Sequence, residues 1–236
     1  YTTLFRSLGG LLCGITPVWA SEIEPFPIRV TTKRLPFMKH YGDVSRMDGG
    51  KIEPVDIITF GSPCQDMSIA GKRAGLGGSR SNLFYEAIRI VKEMRCATDG
   101  KKPRYIVWEN VPGVLSSKDN AFGCFLAGLA GESCELQPAG GKWTHAGCVS
   151  GPQRVIAWRV LDAQFFGVAQ RRRRVFVVAS ARAGFDPLEV LFEREGVRRD
   201  TPPRRGEGQD LAGRAPFGPA LQCGCGYVFG LDLGQY

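Results

Sequence analysis

A chain of 236 residues, 43% hydrophobic and 23% charged, carries enough apolar material for one folded α/β-sized core, which excludes a disordered or low-complexity protein. Its net charge of +8 and pI near 9.2 point to a polyanionic partner, because lysines and arginines release counterions from phosphates. Eight widely spaced cysteines, no legible signal peptide and no apolar run of bilayer length argue against a disulfide scaffold or a membrane span.

In chain order, the first clear element is a strand over residues 55–60, a short β-branched and aromatic run of the kind buried on both faces of a parallel sheet. A helix follows. Leu83, Ala87, Ile90, Val91 and Met94 recur at i, i+4, i+7, i+8 and i+11, one apolar stripe. A second strand covers residues 105–108, completing a βαβ unit and setting the class as α/β with a mostly parallel sheet. A glycine-containing helix is predicted over 119–129, and a third strand over 175–179. Beyond 180 the character changes: residues 192–217 are rich in arginine, glycine and proline with no sustained period. A domain boundary is therefore placed near 180, dividing 1–180 from 181–236. No internal repeat is visible.

Three groups of residues could carry chemistry. The first strand runs into Gly61-Ser62-Pro63-Cys64-Gln65-Asp66, so Cys64 would stand at a carboxyl strand end, where α/β sheets bind ligands. Alone, Cys64 reads equally as a small buried hydrophobe. The second strand ends in Glu109-Asn110-Val111-Pro112, and Glu109 could face the cysteine or simply cap a helix. The third group is Gln170-Arg171-Arg172-Arg173-Arg174. If it extends the strand, Gln170, Arg172 and Arg174 share one face. A solvated basic run is the plainer alternative. Cys223-Gly224-Cys225 has no partner pair at zinc-finger spacing, and no metal site is expected.

Taken together, Pro63-Cys64-Gln65, Glu109-Asn110-Val111 and Gln170-x-Arg172-x-Arg174 resemble three central motifs of the cytosine-5 DNA methyltransferases of bacteria and phages. Gly71 to Leu76 and Ser79 to Phe84 resemble the family's loop and helix after the cysteine, Gly42-Asp43-Val44 its adenine-contacting turn, and Ser21-Glu22-Ile23-Glu24 its ribose-contacting strand end. The resemblance extends over about residues 11–180.

It implies a Rossmann-like S-adenosylmethionine-dependent methyltransferase fold with helices on both sheet faces. Cys64 would be the nucleophile that adds to carbon 6 of cytosine and makes carbon 5 nucleophilic. Glu109 would act at N3, a role that needs a protonated carboxyl at neutral pH. Arg172 or Arg174 would hold the base's O2. Glu22, Ile23, Asp43, Val44, Pro63 and Leu83 would contact S-adenosylmethionine. Gln65, Ser68, Lys72, Arg73, Arg80 and Gln170 would contact double-stranded DNA, whose target base must be flipped out. A cytoplasmic monomer in a bacterial cell or phage-infected host is implied, and the class admits a cognate restriction enzyme. Two other readings stay open: a tRNA cytosine-5 methyltransferase, and a non-catalytic DNA-binding remnant.

The ends depart from the family's pattern. Tyr1-Thr2-Thr3-Leu4-Phe5-Arg6-Ser7 reads like a translated sequencing adapter, and residues 8–12 read as the tail of a helix rather than as the family's glycine turn. Nothing after Gly206 resembles the family's final helical motif. The expectation is a fold incomplete at both ends, with 181–236 the start of a truncated target-recognition region.

Overall fold

The computed structural model describes residues 2–61, 83–167, 169–192 and 227–232. The chain opens with α1 (Thr2–Leu12), whose end contains the residues predicted as a helix tail. It continues through β1 (Thr16–Ser21), α2 (Pro25–Arg34), β2 (Lys39–His40) and β3 (Ile57–Gly61). Next come α3 (Leu83–Ala97), β4 (Tyr105–Asn110), α4 (Ala121–Ala130), β5 (Ala146–Ser150), β6 (Val155–Asp162) and β7 (Arg173–Ser180). The last described elements are α5 (Pro187–Leu191) and β8 (Tyr227–Asp232).

All eight strands join one sheet in the order β2-β1-β8-β3-β4-β7-β6-β5. The pairings make β1, β2, β3, β4 and β6 point one way and β5, β7 and β8 the other. The class is α/β and Rossmann-like, as expected, but the sheet is mixed rather than mostly parallel: five of the seven pairings among the described strands are antiparallel. The predicted strand 175–179 forms as β7 but runs antiparallel to its neighbour β4. An apolar run records burial on both faces and carries no information about direction. The connection from β6 to β7 spans only residues 163–172, too short for the crossover that a parallel pair requires.

Alternation along each strand divides the core into two layers. On one face Ile58, Phe60, Ile106, Trp108, Ile156, Trp158, Val175 and Val177 pack with Phe84, Ile90 and Met94 of α3 and Phe122, Phe125 and Leu126 of α4. Trp108 and Phe125 lie with ring centroids 4.3 Å apart, and Trp158 meets Phe122 edge-on at 5.6 Å. The helix stripe read from the sequence is the buried stripe of α3; Leu83, at its first turn, is only partly buried. The opposite face is covered in two places: Leu35 and Met38 sit under Ala20, while Leu191 of α5 packs on Ala157 and Val178. Helices thus flank both faces.

The polarity of the strands has one consequence for function. The carboxyl ends of β1, β2, β3, β4 and β6 lie along the same sheet edge as the amino ends of β5, β7 and β8. That edge is where ligands bind in open α/β sheets.

Candidate active site

At the first end of this edge, β1 delivers Glu22, which is buried, with 4% of its surface exposed. Its Oε1 accepts hydrogen bonds from the backbone amides of Ile23 and Glu24, at 2.9 and 3.1 Å, which fixes the carboxylate over the strand end. Ile23 beside it is exposed, a bare apolar surface next to a fixed acid. The Ser21 hydroxyl donates to the Gly42 carbonyl at 2.7 Å and so ties the end of β1 to the turn after β2. Gly42 itself has φ +70°, a conformation that favours glycine.

That turn leads to Asp43, whose Oδ1 accepts from the Ser45 amide at 2.9 Å and the Ser45 hydroxyl at 2.8 Å, capping a short 3-10 turn over Val44–Arg46. Those two bonds hold the Asp43 carboxyl below the usual carboxylate range. Val44 is buried. Its carbonyl accepts from Arg89 Nη2 at 3.0 Å, and the Met47 carbonyl accepts from Arg89 Nη1 at 2.8 Å. Arg89 is in turn held on α3 by Glu86 and Glu93, at 2.7 and 2.9 Å. This arginine clamps the acidic turn to the core. Sequence reasoning passed over it; the only signal was a pair of glutamates at i−3 and i+4 on the polar side of the helix.

At the middle of the edge, the parallel register pairing Phe60 with Trp108 puts Gly61 level with Glu109. β3 therefore ends, at Gly61, beside the glutamate. Pro63, Cys64, Gln65, Ser68, Lys72, Arg73 and Arg80 lie outside the described residues. Glu109 is 9% exposed, at the last turn of β4 into the edge. Its Oε1 lies 3.2 Å from Arg174 Nε and 3.8 Å from Arg172 Nη2. Both arginines predicted to share a face thus converge on one carboxylate oxygen. Arg174 is the more enclosed of the two, with its side chain 25% exposed against 45% for Arg172. Gln170 is exposed in the turn before β7 and joins neither contact.

Asp162, at the end of β6, supports the pair from behind. Its Oδ1 accepts from the Arg172 backbone amide at 3.1 Å and the Gln164 amide at 3.3 Å. It thereby fixes the path of the chain into β7, and its role was not legible in the sequence because the partner lies across a turn. Asn110 is buried and accepts from the Val111 amide at 2.8 Å, which starts the turn that leaves β4.

Among the described residues no group of three or more His, Cys, Asp or Glu is arranged to hold a metal ion. No helix among them is long and apolar enough to cross a membrane.

Chemically, the edge offers two acids at adjacent parallel strand ends and, three strands from β1 on the same edge, a buried carboxylate bridged by two guanidinium groups. The profile of the C-5 cytosine-specific DNA methylase family matches residues 4–187. The DNA N-6-adenine-methyltransferase of Escherichia phage P1 is 49% identical, over 81% of this chain and 29% of the relative. A type II methyltransferase of Neisseria gonorrhoeae is 30% identical, over 70% of this chain and 35% of its own length. The solved structure of the S. pombe Dnmt2 methyltransferase is similar at a TM-score of 0.48 and 16% identity, covering 75% of this chain and 48% of that one. The chain spans about a third of the length of the two curated relatives. It belongs to the C-5 cytosine-specific DNA methylase family.

Proposed function

We propose that this chain carries the catalytic part of a DNA (cytosine-5-)-methyltransferase that acts on a base flipped out of double-stranded DNA, with residues 1–180, joined in one sheet by β8, forming its catalytic and cofactor-binding domain. The observation that carries the reading is the convergence of Arg172 and Arg174 on Glu109, at the strand end level with Gly61, the last residue of β3.

S-adenosylmethionine is the methyl donor implied by the family, and it would supply an electrophilic methyl group on a sulfonium. The first end of the edge suits its nucleoside. Glu22 and Asp43 follow neighbouring parallel strands and offer carboxylate oxygens to hydroxyl and amino donors, while exposed Ile23 and partly buried Leu83 offer apolar surface. Val44, clamped by Arg89, positions Asp43, and Pro63 would complete this side.

Cys64 adds as thiolate to carbon 6 of cytosine, forming a C–S bond and displacing the ring's 5,6 double-bond electrons towards carbon 5. Glu109 meets N3 of the ring, where negative charge accumulates, and Arg174 with Arg172 fixes its carboxyl and holds O2. Once carbon 5 carries the new methyl group, its proton leaves to a base and the C–S bond breaks, returning the thiolate. Gln65, Ser68, Lys72, Arg73, Arg80 and Gln170 would contact the strand around the extruded base, whose unstacking costs a few kcal/mol.

The phage P1 relative carries an adenine-N6 name. Transfer to an exocyclic amino group needs no thiolate addition to the ring, so a Cys64 and Glu109 pair would have no task in it.

The test is covalent trapping. The chain is incubated with S-adenosylmethionine and duplex DNA containing 5-fluorocytosine, and adducts are resolved on a denaturing gel. An adduct lost in Cys64→Ser establishes the reaction and its nucleophile. An adduct formed on tRNA and not on DNA moves the substrate to RNA. Absence of any adduct, with the protein shown to be folded and bound to DNA, rejects the catalytic reading.

A further inference from the structure

The catalytic edge does not end at Glu109. One strand beyond β7, a cavity of about 890 Å³ opens where the end of β6 meets the turn into β7 and the start of β5. Its lining includes His145, Arg159, Asp162, Phe165, Arg171 and Arg173. These are the odd-numbered arginines of the basic run; the even-numbered pair serves Glu109.

The charge balance of this cavity is positive. Asp162 is its acid, and that carboxylate is already engaged by the Gln164 amide nitrogens and the Arg172 backbone. Arg159 is held in place, donating to the Leu191 carbonyl at 2.7 Å with its guanidinium 5.2 Å from the Phe192 ring. Arg171 and Arg173 form no close ion pair with the described residues; Arg173 acts on the Asp162 carboxylate only at longer range, which leaves the pair's charge directed into the cavity. Phe165 is 37% exposed and presents an aromatic surface beside them. Cations for a phosphate beside an aromatic face for a base are the two components of single-strand nucleotide binding.

We propose that this cavity is a second nucleotide subsite, which takes a DNA backbone phosphate between Arg171 and Arg173 and stacks an adjacent base on Phe165. It rests on the reading of DNA as substrate. The cavity lies two strands from β4, about 10 Å at the usual strand spacing. That distance corresponds to about three nucleotide steps of 3.4 Å along one strand. The subsite therefore reads or holds the strand a few positions away from the flipped cytosine, and contributes to register without touching the reacting atoms.

The test measures equilibrium binding of the 236-residue chain to a fluorescein-labelled duplex by anisotropy, across a potassium chloride series. In the Arg171→Ala/Arg173→Ala variant the slope of log affinity against log salt falls by about one, the counterion release of the one phosphate lost. Lysine at both positions restores it. Phe165→Ala weakens binding about tenfold while leaving the slope unchanged, as loss of one stacked base would. The control removes the same charge elsewhere, through Lys33→Ala/Arg34→Ala on exposed α2 positions. Equal slopes in the two double variants overturn the subsite. Binding requires no chemistry, so a reduced slope without any 5-fluorocytosine adduct supports the subsite while rejecting the catalytic reading. An adduct with unchanged slopes does the reverse.

Discussion

Two arginines share one carboxylate oxygen at Glu109, and their geometries are unequal. Arg174 approaches Oε1 at 3.2 Å from a side chain 25% exposed; Arg172 stands at 3.8 Å and is 45% exposed. Water screens the second contact more than the first. Arg174→Ala is therefore expected to slow adduct formation by about 10²-fold or more in a single-turnover assay, the scale seen when one preorganised donor is removed. Arg172→Ala should cost distinctly less, and equal losses would argue against the shared-oxygen arrangement. The pairing was legible because strand alternation alone puts Arg172 and Arg174 on one side. Asp162 and Arg89 were not legible, since each acts on backbone groups brought near only by folding. A second residue-scale prediction concerns Cys124, whose thiol is pushed up to about 11 by burial and by the Glu135 carboxylate 3.2 Å away. It should react with iodoacetamide at neutral pH far more slowly than exposed Cys13, Cys96, Cys134 and Cys148, because only the thiolate attacks. Peptide mapping after a short pulse checks this, and prompt labelling of Cys124 would contradict the assignment.

At the scale of elements, the β1–β2 margin that carries the two acids is thin, because β2 has two residues. Its hold on the rest passes partly through His40, whose ring nitrogen lies 3.0 Å from the Thr31 hydroxyl of α2. Burial pushes the His40 imidazole below its ordinary value of 6.5, against a smaller opposing pull from Glu22. In the unfolded chain the ring takes up a proton near 6.5, while in the folded chain it does so only at lower pH. Stability is thus fully present above 6.5 and is lost as pH falls from there towards the folded value. Thermal melts should show a lower Tm at pH 5.5 than at pH 7.5, and His40→Gln should flatten that difference. A pH response unchanged in the variant would assign it to other groups. The acidic turn on this margin was recognisable from Gly42-Asp43-Val44, whereas β2 itself is too short for any periodicity to announce it. The β5–β6 hairpin was missed for a different reason. Its facing positions combine small, polar and aromatic residues, and Gly147 sits opposite Trp158, whose indole occupies the space that a Cβ at Gly147 would need.

For the molecule as a whole, the least legible feature is an interior strand of the sheet. β8 (Tyr227–Asp232) lies between β1 and β3, antiparallel to both, although it follows an arginine- and glycine-rich stretch with no sustained pattern. Six residues containing a glycine give little intrinsic strand signal, and its position is decided by pairing with strands far away in sequence. The buried βαβ unit was readable because its signals are local: an apolar run, an amphipathic stripe, an apolar run. By its pairings β8 joins the half of the sheet carrying Glu22 and Asp43 to the half carrying Glu109. If that link is structural, proline at a central β8 position should damage both halves together. Gly230 pairs with Trp19 on one side and Ile58 on the other, so Gly230→Pro removes an amide donor from the middle of the sheet, where proline is not tolerated. The expected loss is at least about 2 kcal/mol in urea unfolding, the cost of leaving a buried carbonyl without its donor. Native-state hydrogen exchange should show reduced protection of the β1 and β3 amides alike, with β6 and β7 less affected. Protection of β1 and β3 unchanged in the variant would mean that these strands hold together without β8, and that the two halves of the edge are aligned by the helices instead.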